Sequence, residues 1–144
     1  MKRGLLAIAL GITFLILMTW IGTLLTSIVP HRVTAQLQTA QAGPYHVTLQ
    51  VNPNPPLVTQ PATLSIKVLQ NASKQPVTNA HITLENNMET MDMGTDQVEA
   101  KSQGNGMYFA NVQFTMSGPW QVQVVISLPG ETQTFKASFE VTAQ

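Results

Sequence analysis

The stretch Trp120-Gln-Val-Gln-Val-Val-Ile126 decides the fold, because large apolar side chains alternate in it with polar ones. Trp120, Val122, Val124 and Ile126 share one face, and the other face holds Gln121, Gln123 and Val125. A period of two is typical of a β-strand that is buried on one side only. The stretch therefore predicts a strand that packs one face against a core.

The same alternation recurs along the chain, and turn residues such as Gln103-Gly-Asn-Gly106 separate the alternating runs. Many short, one-sided strands with turns between them are typical of two antiparallel sheets packed face to face. We therefore predict an all-β fold, an immunoglobulin-like antiparallel sandwich of about seven strands. The predicted strands are 45–51, 64–68, 80–85, 97–101, 108–116, 120–126 and 135–141.

The N-terminal part of the chain has a different character, because no charged residue occurs from Gly4 to Val29. A helix needs roughly 20 apolar residues to span a bilayer, so we predict a transmembrane anchor over residues 1–30. A cleaved signal ending at Ala35 is the alternative. We predict a polar linker over residues 31–43 and the β-domain over residues 44–144.

The basic residues at the start of the chain predict its orientation in the cell membrane. Lys2 and Arg3 favour an N-terminus inside the cell, which places a single-pass protein's domain on the extracytoplasmic side. From Pro44 onward the chain carries more acidic than basic side chains, whereas nucleic-acid binding needs a basic surface. The membrane is therefore an expected partner, and nucleic acid is not.

Three methionines, Met88, Met91 and Met93, lie close together in the polar stretch Glu85–Gly94, which we predict to be a loop or a strand edge. Thioethers are soft ligands that select Cu(I), and the chain contains no cysteine to compete with them. We therefore predict a Cu(I) site at these methionines, with His81 as a candidate fourth ligand. The alternatives are packing at the end of the core and contact with a partner protein.

Other side chains are weaker candidates for metal ligands. His46 lies on the polar face of its predicted strand, and His31 lies at the exit from the predicted anchor. Met116 falls on a predicted core face, and Met107 cannot be placed from the sequence. Acidic residues surround the methionines and could offer oxygen ligands, but their spacing does not match a calcium-binding loop. These residues are Glu85, Glu89, Asp92 and Asp96.

Three short motifs give the chain a resemblance to a known family. They are Met91-Asp-Met-Gly94, Gly106-Met-Tyr108 and Gly118-Pro-Trp120. Their order resembles that of the YtkA-like domain, an exported β-sandwich related in pattern to the membrane-anchored FixH proteins, from about Tyr45 to Thr142. The resemblance implies a non-catalytic module linked to copper handling or to the assembly of copper-containing oxidases. Asn86 and Asn87 stand where the richest versions of the methionine loop carry histidine.

The sequence contains no recognisable catalytic motif, since it lacks a cysteine nucleophile, a Gly-x-Ser-x-Gly turn and a phosphate-binding loop. We therefore expect a protein that is not an enzyme. The first functional hypothesis is a module that binds Cu(I) and transfers it to a membrane protein or copper enzyme. The second is an interaction module that docks on a membrane protein without a metal, and the third is a structural domain.

Overall fold

The computed structural model describes residues 11–20, 35–92 and 94–144. The chain divides into two units after Arg32. In the first unit, residues 11–20 are helical. Across the described ranges, no helix combines the length and the apolar character that a membrane crossing requires. The rest of the predicted anchor over residues 1–30 lies outside these ranges.

The second unit is all-β, as predicted, and all of its strand pairings are antiparallel. Its eight strands follow one another in a single sheet with the order β1-β2-β3-β6-β5-β4-β7-β8. The strands are β1 Leu37–Ala42, β2 Tyr45–Asn52, β3 Ala62–Gln70, β4 His81–Met88, β5 Asp96–Gly104, β6 Met107–Val112, β7 Gly118–Ser127 and β8 Thr134–Ala143.

The prediction of about seven strands was wrong by one. The additional strand is β1, which lies inside the segment 31–43 that we had predicted to be a polar linker. It pairs with β2 along its whole length, from Leu37 opposite Gln50 to Ala42 opposite Tyr45. Only Ala42 in β1 is fully buried, so the strand carries little apolar signal in its sequence.

The domain has two layers of strands that form one continuous sheet, because β5 pairs with a strand of each layer. Its first part, from Asp96 to Ala100, pairs with β4, and its second part, from Lys101, pairs with β6. A strand that changes partner in this way makes a corner between two layers. The sheet therefore curves into a form between a sandwich and a barrel.

The outer strands of the curved sheet come together at its far side. The Gln38 side chain in β1 donates a hydrogen bond to the backbone carbonyl of Glu140 in β8, at 2.7 Å. The Gln144 amide donates to the Pro56 carbonyl at 2.9 Å, which ties the chain after β8 to the segment after β2. These bonds satisfy edge groups that would otherwise be open to pairing with another chain.

The core lies between the two layers and comes from the alternating faces that the sequence predicts. The inward residues of β7 are Trp120, Val122, Val124 and Ile126, and all four are buried. Each such apolar side chain contributes roughly 1.5–3 kcal/mol when it leaves water. Burial of these alternating faces is the main term that stabilises the domain.

Candidate functional site

The predicted methionine site lies at one end of the domain, where β4 ends and the chain turns towards β5. Of the stretch Glu85–Gly94, which we predict to be a loop or a strand edge, the residues up to Met88 belong to β4, which pairs with a strand on each side. The loop proper covers residues 89–95, and we call it the methionine loop. Of the predicted methionine ligands, Met88 and Met91 therefore do not share one environment.

Met88 is a core residue. It is only 6% exposed, and it lies opposite Trp120 in the pairing of β4 with β7. Its terminal methyl carbon packs so close to Gly118 that a Cβ added to this glycine would lie 3.1 Å from it. The structure therefore places Met88 in the packing role that was the alternative to metal binding.

Met91 is an exposed methionine of the loop, with 52% of its surface accessible. The backbone turns directly after it, where the Asp92 carboxylate accepts a hydrogen bond from the Gly94 amide at 3.4 Å. Gly94 has a φ of 83°, a conformation that glycine adopts without strain. Met91 is therefore exposed to solvent, whereas Met93 lies outside the described residues.

His81 does not join the methionines. It begins β4 and Met88 ends it, so the two lie roughly 20 Å apart at the usual rise of a strand. The His81 side chain is exposed, and its Nδ1 lies 3.3 Å from Glu99 Oε1. His81 and Met88, two of the four predicted ligands, are therefore separated by the length of β4, and Met93 lies outside the described residues.

The remaining candidate ligands are also dispersed. His46 is half-buried on β2, and Met107 is half-buried at the start of β6. Glu85 forms an ion pair with Lys136 at 2.9 Å, while Glu89, Asp92 and Asp96 are exposed. No group of three His, Cys, Asp or Glu side chains that could hold a metal occurs in the part of the chain that the structure describes.

Tyr108 of the Gly-x-Tyr motif has a structural role. Its buried hydroxyl donates a hydrogen bond to the Val77 carbonyl at 2.7 Å and accepts one from the Ala80 amide at 3.3 Å. These bonds hold the segment that leads into β4. Burial raises the pKa of Tyr108, against a smaller lowering by the bond from Ala80, so the phenol stays protonated.

Trp120 of the Gly-x-Trp motif is structural as well. Its indole N–H donates to the Met116 carbonyl at 2.9 Å, and its ring meets Phe114 edge to face at 5.5 Å. The fold thus accounts for two of the three motifs. The exposed side chain of Met91, in the third motif, contributes little to the core.

Asn86 is a buried polar residue that the sequence pattern does not mark as part of a site. It points to the core side of β4, between Leu84 and Met88, and it is only 2% exposed. Neither its carboxamide nitrogen nor its carboxamide oxygen has a hydrogen-bond partner among the residues described. The alternation of Ile82 and Leu84 would have revealed this position if the predicted strand had been continued past Glu85.

These features define a small all-β domain with an exposed methionine loop at one end. The chain belongs to the YtkA-like family, whose model matches residues 39–125, more than half of the sequence. The family match confirms the resemblance found in the three motifs. No curated protein matches the chain significantly.

Solved structures are similar to the chain at low sequence identity. FetP of uropathogenic E. coli strain F11, recombinantly expressed in the periplasm of E. coli BL21(DE3), is 10% identical with a TM-score of 0.52. The match covers 73% of this chain and 91% of FetP. A DUF4426 family protein from Pseudomonas aeruginosa PAO1 is 13% identical with a TM-score of 0.45, over 73% of this chain and 96% of that protein.

Proposed function

We propose that this chain is a non-catalytic, extracytoplasmic YtkA-like module that carries Cu(I) on its methionine loop. Two observations support the location. The uncharged stretch from Gly4 to Val29 has the composition of a membrane anchor, and the similarly folded FetP was expressed in the periplasm. The anchor over residues 1–30 would hold the domain beside a membrane protein or a copper enzyme.

The exposure of Met91 is the observation that carries the copper proposal. A large apolar side chain that stays in water forgoes roughly 1.5–3 kcal/mol of burial, and Met91 is 52% exposed. Its thioether is a soft ligand that prefers Cu(I), and Met93 supplies a second thioether two residues later. The proposed ligand set is therefore Met91 and Met93, without Met88 or His81.

A site of this kind suits transfer rather than storage. Two thioethers on a solvent-exposed loop leave coordination positions that the ligands of an acceptor protein can enter. The exposed carboxylates of Glu89, Asp92 and Asp96 give the end of the domain a negative potential that attracts cations. The proposed mechanism is ligand exchange, in which the acceptor replaces the two thioethers one at a time.

The test is a Cu(I) titration of the full chain against a competing chelator, with leucine variants of the methionines. Leucine keeps the volume and apolar character of methionine but removes the sulfur. We expect Met91→Leu with Met93→Leu to abolish Cu(I) binding and to leave the unfolding transition unchanged. Met88→Leu is the matched control, and it should bind Cu(I) as the wild type does. Unchanged affinity in the double variant would overturn the proposal.

A second candidate function is that of an interaction module without a metal, and the exposed apolar surface of Met91 favours it. An accessible methionine is an adaptable contact for a partner protein. In this case the leucine variant should keep function, whereas Met91→Glu should prevent capture of the partner from a membrane extract. Intact capture by Met91→Glu would count against this function.

A further inference from the structure

A pocket of about 350 Å³ lies beside the methionine loop, and its lining includes Trp120 and residues from β4, β5 and the segment after β6. We call it the end pocket. Its polar lining consists of Asn86, Thr95, Asp96, Gln113 and Thr115. Its lining, among the residues that the structure describes, includes neither Met88 nor Met91.

Asn86 is the residue in this lining that the fold does not explain. It occupies a core position, yet both polar atoms of its carboxamide lack a hydrogen-bond partner within the described chain. A buried polar group without a partner costs stability, and an apolar residue of the same shape would not. A ligand that pairs with both atoms would recover this cost on binding.

The chemistry of the ligand follows from which donors and acceptors are already used. The Trp120 N–H donates to the Met116 carbonyl, and the Gln113 side-chain nitrogen donates to the carbonyls of Val58 and Phe114. Asn86 therefore offers free N–H donors and a free carbonyl acceptor side by side, whichever way its amide is oriented. The group that complements such a pair is another amide.

The charge around the end pocket indicates which kind of group lies beside the amide of the ligand. Asp96 lines the pocket, and Glu89 and Asp92 lie in the adjoining loop. No lysine or arginine occurs in the sequence between Lys74 and Lys101, so no basic residue of this segment compensates them. A carboxylate ligand would be repelled, and a neighbouring positive charge would be attracted.

We propose that the end pocket binds a peptide group next to a basic side chain, either in a small free amide or in a segment of a partner protein. Its volume lies near the lower end of known ligand pockets, which suits one or two residues. Asn86 would pair with the amide, Trp120 would provide an apolar wall, and Asp96 would face the positive charge.

The test follows the Asn86 side-chain amide by ¹H–¹⁵N NMR in the full chain while blocked amino acids are added. N-acetyl-lysine methylamide should give saturable shifts of this signal. N-acetyl-glutamate methylamide should bind at least tenfold more weakly because of its charge, and the methyl ester of N-acetyl-lysine should bind more weakly because it lacks one N–H. The absence of a saturable shift with the lysine amide would overturn the proposal.

A longer probe separates the two sources of the ligand. Blocked Gly-Gly-Lys-Gly-Gly presents the same lysine within an extended chain. Tighter binding of this peptide than of the single residue would support a partner segment, whereas equal binding would support a small free amide. Both results require that the shifts at Asn86 saturate.

Two variants test whether the named residues act as stated. Asn86→Leu should abolish binding of the lysine amide and raise the thermal midpoint, while Asn79→Leu, at an exposed position, should leave binding unchanged. Asp96→Asn, also at an exposed position, should fold normally and lose most of the preference for lysine over glutamate. A preserved preference in Asp96→Asn, or wild-type binding in Asn86→Leu, would contradict the proposal. The leucine variant of Met91 and Met93 should bind the amide normally, which separates this proposal from the copper site.

Discussion

Single atoms decide the role of the tyrosines in this domain. Tyr108 and Tyr45 are both buried, but within the described part of the chain only the Tyr108 hydroxyl bonds to the backbone, at Val77 and Ala80. Tyr45 instead contacts the Phe135 ring edge to face at 5.4 Å, a contact that phenylalanine can also make. The two residues therefore form a natural pair for comparison.

We predict that Tyr108→Phe destabilises the domain by about 1–3 kcal/mol, because it leaves a buried carbonyl and a part-buried amide without their partner. Tyr45→Phe is the control and should cost about 0.5 kcal/mol or less. The free energy of unfolding from urea titrations measures both changes. Equal losses in the two variants would show that the Tyr108 hydroxyl does not hold the segment before β4.

The site could be predicted from the sequence only in part, and single residues show why. The soft chemistry of the methionines is a property of residue type, and the sequence displays it directly. The burial of Met88 and the exposure of Met91 depend on where β4 ends, which composition does not show. Asn86 escaped notice because a polar residue at a core position looks like the start of a loop.

At the scale of elements, the turn between β5 and β6 illustrates how closely two backbones approach. Gly106 has a φ of 71°, and a Cβ there would lie 2.7 Å from the Val68 carbonyl oxygen. Gly104 in the same turn has a φ of 88°, but a Cβ there would meet no atom within 4 Å. Gly106 is therefore required both because a Cβ would clash and because its φ is positive, whereas Gly104 is required by its positive φ alone.

We predict that Gly106→Ala costs about 3–5 kcal/mol, from a left-handed backbone and a contact with a backbone atom that cannot move freely. Gly104→Ala should cost about 1–2 kcal/mol from the backbone conformation only. Thermal or urea unfolding of both variants measures the difference. A cost for Gly106→Ala no greater than that of its neighbour would mean that the strands do not pack as closely as described.

The elements also show which strands the sequence could predict. Strands with one buried apolar face, such as β7, are visible from their period of two. β1 is missing from the prediction because glutamine, threonine and alanine fill it, and its stability comes from pairing with β2. β5 was predicted too short because most of its side chains are exposed on both faces.

At the scale of the whole molecule, the buried tyrosines link stability to pH. Burial raises the pKa of Tyr108, and burial together with the nearby Glu131 carboxylate raises the pKa of Tyr45. In the unfolded chain both phenols titrate near the ordinary value of about 10. Above that pH the folded state keeps protons that the unfolded state has lost.

We predict that the tyrosine contribution to stability is complete below about pH 10 and declines as the pH rises through the raised pKa values. It declines because the unfolded chain releases these protons at a lower pH than the folded chain does, and this release favours unfolding. Urea unfolding of the full chain between neutral pH and pH 11 measures this decline. A variant with both Tyr45→Phe and Tyr108→Phe should decline less steeply over the same range. An equally steep decline in that variant would assign the effect to other groups.

The copper proposal depends on the whole arrangement of this end of the domain, with one methionine inside the core and the methionine loop in solvent. The most direct test follows the methionine methyl signals by NMR while Cu(I) is added to the full chain. We predict saturable shifts for Met91 and Met93 and little change for Met88, which the core encloses. Shifts at none of the three, or at Met88 alone, would contradict a Cu(I) site on the exposed loop.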